Sequence, residues 1–439
     1  MRNTGLTLAM GECVLSICLT CACSTQIKTS NQQYHNPAVV YAQAGQAVKE
    51  VVDSLPPSGG TVALGAGVWA SGYNSGECIS KPNITIRGSG RPAFNFAFTA
   101  MVGGTIVLGR LPACTGADYF TVRDLGVDAG PVYITGSNGG VPTDALAIYN
   151  SGEVIGAPQV ESPAVDNVAC LGFSTTAAVH CMLMENVNHA LIHNVVTAMN
   201  QHGLVIKGTN STVDGVVASG HGIASVLVKS EDYAPASQNH LSNITIQPLL
   251  VGGDTRGISI VGVTAPVSDI TVSHARILSP LAWGINVRGS NYAAGAANLN
   301  FLDISIDYPG GSPTDEFCMQ FVNYVSNVQI NALNCFDMWA GVRSYLPAPN
   351  AFDDFTVRSS YFENIASDAV QTYGSWQVFD SRFEAIAGNG IVNSDGITTV
   401  YENTFIDING SDMLRAGGTF VFSSSLSLAE QITRSIRSH

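Results

Sequence analysis

Charge is scarce in this chain. Only 12% of its 439 residues are Asp, Glu, Lys or Arg, and cations are the rarer sign: 19 Lys and Arg stand against 33 Asp and Glu, for a net charge of −14. No basic run relieves that acidity. The chain repels the phosphates of DNA and RNA, and nucleic acid is not an expected partner. Long apolar runs are missing too. Past the first 25 residues none approaches the ~20 residues that a membrane-spanning helix needs. The signatures of several chemistries are also lacking: there is no Walker loop, no dinucleotide glycine motif, no zinc-ligand spacing and no Gly-x-Ser-x-Gly elbow in a strand–turn–helix setting.

Hydrophobic residues make up 46% of the chain, with 45 glycines and 18 prolines. That mix suits many short strands joined by tight turns better than long helices. The length would ordinarily mean two or three domains, but a solenoid grows by adding repeats to one core. The first 25 residues differ from the rest. Val14–Cys23 is apolar or small and reads as the core of a signal peptide, so the chain is expected to be secreted or extracytoplasmic. Cys21 or Cys23 offers lipid anchoring as an alternative, although the residues before them fit that motif poorly. Beyond the leader stand Cys78, Cys114, Cys170, Cys181, Cys318 and Cys335. In an exported chain they permit three disulfides, with buried free thiols the alternative.

One pattern recurs: a polar residue followed by apolar, Thr or similar, apolar. It appears at Asn83, His189, Asn210, Asn243, Asp269, Asn327 and Asp354, with separations of 21 (189 to 210), 33 (210 to 243), 26 (243 to 269) and 27 (327 to 354) residues. A second strand, as in Gly203-Leu-Val-Ile-Lys-Gly and Gly257-Ile-Ser-Ile-Val-Gly, follows a glycine. Such a period without helical periodicity predicts a solenoid: an all-β, right-handed parallel β-helix over residues 36–425. Asn and Asp at the strand starts suit turns and can hydrogen-bond along a stack. Tyr41–Leu55 carries an apolar stripe at helical spacing and is stopped by Pro56-Pro57. It is expected to form a helix that caps the N-terminal end, and residues 426–439 a C-terminal tail or second capping helix.

The helix, the Gly59-Gly60-Thr-Val-Ala-Leu-Gly-Ala-Gly-Val-Trp69 segment and Asn83-Ile-Thr-Ile-Arg-Gly-Ser-Gly together resemble the start of pectate lyase-like proteins. These are right-handed parallel β-helices that mostly act on polysaccharides. The superfamily includes lyases, glycoside hydrolases, sugar epimerases, tailspikes and non-catalytic adhesins, so the resemblance implies a carbohydrate ligand without fixing a reaction.

The chemistry-bearing stretch runs from His202 to Asp232. Lys207 and Lys229 end two strands 22 residues apart, with His202 and His221 ahead of them. Stacked in register, the lysines would lie about 4.8 Å apart, lower each other's pKa and supply a base. The pair resembles the lysine and arginine on adjacent coils of alginate- and chondroitin-type lyases, which implies β-elimination on a uronic acid polymer. Lys207 or Lys229 would then be the base, with His202, His221 and Arg288 assisting with the proton or the carboxylate. Arg256 and Arg288 are candidate substrate-binding residues. The Arg-His-Gly expected on the next strand is missing, and no residues for a calcium site are identifiable. Calcium stays open as the one cofactor. Ser219-Gly220-His221-Gly222-Ile223 resembles the Gly-His-Gly segment of polygalacturonases, but the acidic pairs and Arg-Ile-Lys that go with it are absent. A hydrolase or glycosyl-transferring enzyme would instead use paired carboxylates near Glu231, Asp232 and Asp254, or Asp124, Asp128 and Asp144. Tyr233, Tyr345 and Tyr373 are candidate substrate-binding residues, within a wider set of sugar-stacking aromatics that includes Trp283, Tyr292, Tyr324, Trp339 and Trp376. Tyr345 and Tyr373 sit at the strand position of Lys207 and are expected to face outward. The third alternative, a non-catalytic glycan-binding or tailspike-like protein, brings a homotrimer with it.

Overall fold

The computed structural model describes residues 38–423 except 71, 73–78, 80, 90–99, 104–105, 109–117, 129–145, 150–154, 157, 172–179, 248–255, 310–312 and 346–351. The leader, the tail 426–439, Cys78, Cys114, Asp144 and Asp254 lie outside the described residues. So does most of the excursion after Asp128.

The strand ladders of the described residues are parallel, and each strand pairs with its counterpart one coil away. Val267–Leu278 pairs with Ala296–Asp307, which pairs with Val325–Phe336; Trp283–Gly289 pairs with Phe317–Val322. This is the parallel β-helix that the repeat predicts. A single coil has one apolar side that nothing of its own can cover, and stacking covers it. Val213, Leu241, Val272, Phe301, Ile330 and Val357 form one such inward column, each at most 1% exposed. Toward the C-terminus the column beside it becomes aromatic. Phe362, Phe383 and Phe405 stack at 5.1 and 4.9 Å between ring centroids.

The long strands bend at residues in the left-handed region. Asn167, Asn194, Asn243, His274, Asp303 and Ser359 all have φ near +50°, and Gly215 holds the same place in its coil. Most L-residues lose about 1–2 kcal/mol in this conformation, and Asn and Asp lose less because their side chains bond locally. Here they also bond between coils. Asn194 Nδ2 donates to Asn167 Oδ1 (3.2 Å), Asn298 Nδ2 to Asp269 Oδ1 (2.9 Å) and Asn327 Nδ2 to Asn298 Oδ1 (2.8 Å). The ladder corrects the repeat. Asn243 belongs to the corner after Ser242, whereas Asn210 and Asp269 belong to the preceding one, where Gln238 stands between them. The spacings of 33 and 26 residues therefore mix two corners. Across the corner bonds of these middle coils the repeat is 27 or 29 residues.

The helix is shorter than its stripe suggests. It spans Val48–Ser54, and Val39–Tyr41 is instead a strand paired with Gly60–Ala63. Val39, Val40 and Tyr41 favour extended backbone, and Gly45 at φ 91° breaks any helical run before Val48. Val48, Val51 and Val52 join the main core. No helix among the described residues is long and apolar enough to cross a membrane.

Two disulfides, Cys170–Cys181 and Cys318–Cys335, each tie consecutive strands of one coil from inside, with all four residues fully buried. The alternative of buried free thiols is thereby set aside for these four. Closing a loop of this size restricts the unfolded chain, and Cys318→Ala with Cys335→Ala is expected to lose about 2–4 kcal/mol of stability, read as a lower urea midpoint with a slope no shallower than the native chain's. An unchanged midpoint would contradict this.

Candidate functional site: one outer sheet face

The candidate residues gather on the outer face of one sheet. Its strands are His180–Asn188, His202–Thr209, Ala224–Ser230, Arg256–Gly262, Trp283–Gly289, Phe317–Val322 and Ala340–Tyr345. Alternation sends Leu204 and Ile206 into the core and leaves Val205 and Lys207 outward. Register then sets three rows along the stack. One edge reads His180, His202, Ala224, Arg256, Trp283, Phe317; the middle reads Leu183, Val205, Leu227, Ser259, Asn286, Gln320. The other edge begins Glu185, Lys207 and, from Lys229, continues Val261, Arg288, Val322, Tyr345.

The lysines are not a free pair. Lys207 Nζ donates to Glu185 Oε2 (2.5 Å), Glu231 Oε2 (2.7 Å) and Tyr233 OH (3.1 Å), and Lys229 Nζ lies 2.5 Å from Glu231 Oε1. Tyr233 OH in turn donates to Glu231 Oε2. The Lys207, Glu185 and Glu231 side chains are only 11–12% exposed. Burial alone would lower the Lys207 pKa, but the Glu185 and Glu231 carboxylates outweigh it and hold the ammonium well above its ordinary value. Burial would likewise raise Glu231, yet hydrogen bonds from Lys207, Lys229 and Tyr233 bring it down to about 2. Burial and the Glu231 bond together push the Tyr233 hydroxyl up. The expected lowering is therefore overturned for Lys207, because the Glu231 carboxylate stands between the two lysines. Glu185, which no sequence argument singled out, completes the network. Its signal was the same interval: it precedes Lys207 by 22 residues, as Lys207 precedes Lys229.

The histidines part company. His202 stacks on His180 at 5.0 Å and is in register with Ala224, not with His221. Burial first, then the charges of His180, His221, Arg256 and Lys229, lower its pKa to about 3, so it is neutral. His221 is fully buried, its Nε2 3.1 Å from Thr197 Oγ1 and its Nδ1 accepting from the Asn200 N–H; burial lowers it to about 4. Its place inside the coil removes it from contact with any substrate.

Two coils further on the face changes character. The middle row turns from Leu and Val to Ser259, Asn286 and Gln320, all at most 8% exposed, with Asn286 Nδ2 donating to Gln320 Oε1 at 3.2 Å. Arg256 stacks on Trp283 at 4.7 Å, Arg288 is exposed, and Arg343 lies 4.6 Å over the Tyr345 ring. Burial and the nearby Arg288 charge lower the Arg256 pKa. Among the described residues these three arginines make no ion pair. Arg256 Nε, Ser259 Oγ, Trp283 Nε1 and Arg343 Nε are buried without a hydrogen-bond partner there. Native proteins seldom leave such atoms unmatched.

Asp232 is exposed, its N–H donating to Thr264 Oγ1, and it takes no part in the cluster that Glu231 joins. Asp124 is a corner residue that accepts from Asn167. Tyr345 faces outward at 40% exposure. Tyr373 does not: the register shifts between Thr372 and Tyr373, and the ring packs partly against the core. Trp376 is wholly buried against Phe355 and offers no platform. No cluster of metal-type ligands occurs among the described residues.

No family model matches the chain, and no curated protein matches it in sequence. Solved structures share its fold. The catalytic domain of a GH87 alpha-1,3-glucanase, determined with tetrasaccharides, superposes with a TM-score of 0.52 at 11% identity, over 89% of this chain and 68% of that one. The surface protein and adhesin PfbA of Streptococcus pneumoniae gives 0.52 at 12% identity, over 85% and 95%. The catalytic unit of a thermostable GH87 alpha-1,3-glucanase from Streptomyces thermodiastaticus gives 0.50 at 14%, over 86% and 64%. At these identities the likeness is one of fold.

Removing the shared cation should be costly. Lys207→Met leaves two buried carboxylates facing each other and is expected to cost about 3–5 kcal/mol, measured by urea denaturation; near-native stability would contradict the network. His221 also sets a pH dependence. From about pH 6.5 down to about 4 the unfolded chain binds a proton that the folded chain refuses, so stability falls with falling pH over that window. Melting temperature should decline there, and His221→Gln should flatten the decline.

Proposed function

We propose that the chain is an exported carbohydrate-active enzyme that holds an acidic polysaccharide along this face and cleaves it by β-elimination on a uronic acid polymer. One observation carries the reading. Arg256, Arg288 and Arg343 share one face without ion partners among the described residues, in a chain of net charge −14. Cations placed against the trend of the whole molecule favour an anionic ligand. Guanidinium groups match a carboxylate in two-pronged geometry, and neutralising the uronate carboxylate is what makes the C5 proton removable. The face also lies on stacked strands, which gives an extended surface suited to a polymer.

Lys207 does not supply the base in this reading, because Glu185 and Glu231 keep it protonated, and Lys229 is committed to an ion pair with Glu231. The neutral imidazole of His202 stands beside Arg256 and Lys229 and is a group on this face able to accept the C5 proton. The C4–O4 bond then breaks to leave a C4–C5 double bond, and the departing oxygen takes a proton from water or from the imidazolium so formed. A bound uronate carboxylate would raise the His202 pKa by Coulomb attraction. Hydrolysis fits less well. It needs a general acid, and Glu231 is held as a carboxylate down to about pH 2. A second reading, a glycan-binding surface protein without catalysis, is favoured by the mutual neutralisation of the lysine cluster. Export is supported by the two buried disulfides, which persist in oxidising compartments.

Incubation with a panel of acidic and neutral polysaccharides, read by ultraviolet absorbance and reducing ends together, tests the proposal. Unsaturated, absorbing products from an acidic glycan are expected, with Arg288→Ala lowering kcat/KM by about tenfold or more. Reducing ends without absorbance would mean hydrolysis. Glycan retained with no product would leave the binding protein.

A further inference from the structure

Beside Arg288 the same edge of the sheet carries aromatic rings that the ion network does not use. Tyr292 is 85% exposed, yet it sits on a tightly fixed turn. The Ser290 N–H donates to Gly262 O (3.0 Å) and Ala294 O (3.1 Å), Ser290 Oγ donates to Gly262 O (2.7 Å), and Asn291 Oδ1 accepts from the Ala294 N–H (2.9 Å). The turn thus anchors on the neighbouring coil while its tyrosine stays in solvent. On the next coil Tyr324 meets the Tyr292 ring edge-on, 6.3 Å between centroids at 88°. One coil further Tyr345, 40% exposed, stands in register with Val322 and Arg288. Single exposed aromatics are ordinary on protein surfaces. Three on successive coils, one held by a fixed turn and one in register with the exposed Arg288, are not scattered.

We infer that Tyr292 and Tyr345, with the half-buried Tyr324 bracing Tyr292 edge-on, form a sugar-stacking edge that receives the apolar face of a pyranose ring beside Arg288. The inference rests on the reading of this face as a polysaccharide-binding surface and adds a subsite to it. Aromatic side chains offer flat contact area at low entropic cost, and Tyr keeps a hydroxyl for the wet side. Stacking is not screened by salt, whereas the arginine contacts are.

The test is calorimetric titration of the full chain with oligogalacturonates and alginate oligosaccharides of increasing length, at low and high salt. Tyr292→Ala and Tyr345→Ala should each weaken binding of the longer oligosaccharides by about three- to tenfold at both salt levels, leave the shortest unaffected, and leave the melting temperature unchanged. Tyr292→Phe should bind like the native chain. If short oligosaccharides bind and both alanine variants hold the long ones as tightly as the native chain does, the stacking edge is wrong and the polysaccharide-binding surface stands. If no oligosaccharide binds the native chain, both fall. Sedimentation supplies the remaining outcome: if Tyr292→Ala dissociates an assembly without changing glycan affinity, the patch is a contact between copies and the inference is overturned.

Discussion

Each coil of this chain has an apolar inner side that only the next coil can cover. Val213 needs Leu241 above it, Leu241 needs Val272, and the order repeats to the end of the described stack. That dependence fixes the register, since a slip of one residue would turn the inward column out to solvent. The corners follow from the same demand. A strand that must return over itself has to turn sharply, and residues at φ near +50° make the turn. Asn and Asp tolerate that conformation and bond from coil to coil, so the corners reinforce the stacking that required them.

The outer face inherits its order from the inner one. Because the register is fixed inside, outward side chains fall into rows, and residues far apart in sequence become neighbours. The rows divide into two halves of opposite chemistry. In one, Glu185, Lys207, Glu231, Lys229 and Tyr233 satisfy each other, and the charges are spent within the protein. In the other, arginines and amides lie over coils where buried polar atoms lack partners among the described residues. A ligand adds most where the protein has left interactions unmade. This is why the arginine half, and not the lysine pair, is the better seat for a bound glycan.

The fold was legible because its signals are local and repeated: alternating apolar residues, glycines before strands, Asn or Asp at corners. Where the signal was shared by two corners, as at Asn243 and Asp269, the sequence could not separate them, and the repeat length blurred. The site was legible in membership more than in meaning. Lys207, Lys229, Glu231 and Tyr233 were all visible close together, but Glu231 reaches back between the lysines from a tight turn, and that reversal raises the Lys207 pKa where a free pair would lower it. Glu185, Asn286, Gln320 and Arg343 escaped notice because each lies in another coil, where only an exact register brings it alongside. Tyr373 looked equivalent to Tyr345 until a register shift at Thr372 turned it toward the core.

The claim on which the division of this face into two halves turns is that Lys207 holds its proton for structural reasons. Heteronuclear NMR of the lysine side chains through a pH titration measures this directly. Lys207 should remain an ammonium beyond the pH at which the exposed lysines titrate, at about 10.4. Titration of Lys207 near neutral pH would restore it as a base and contradict the account.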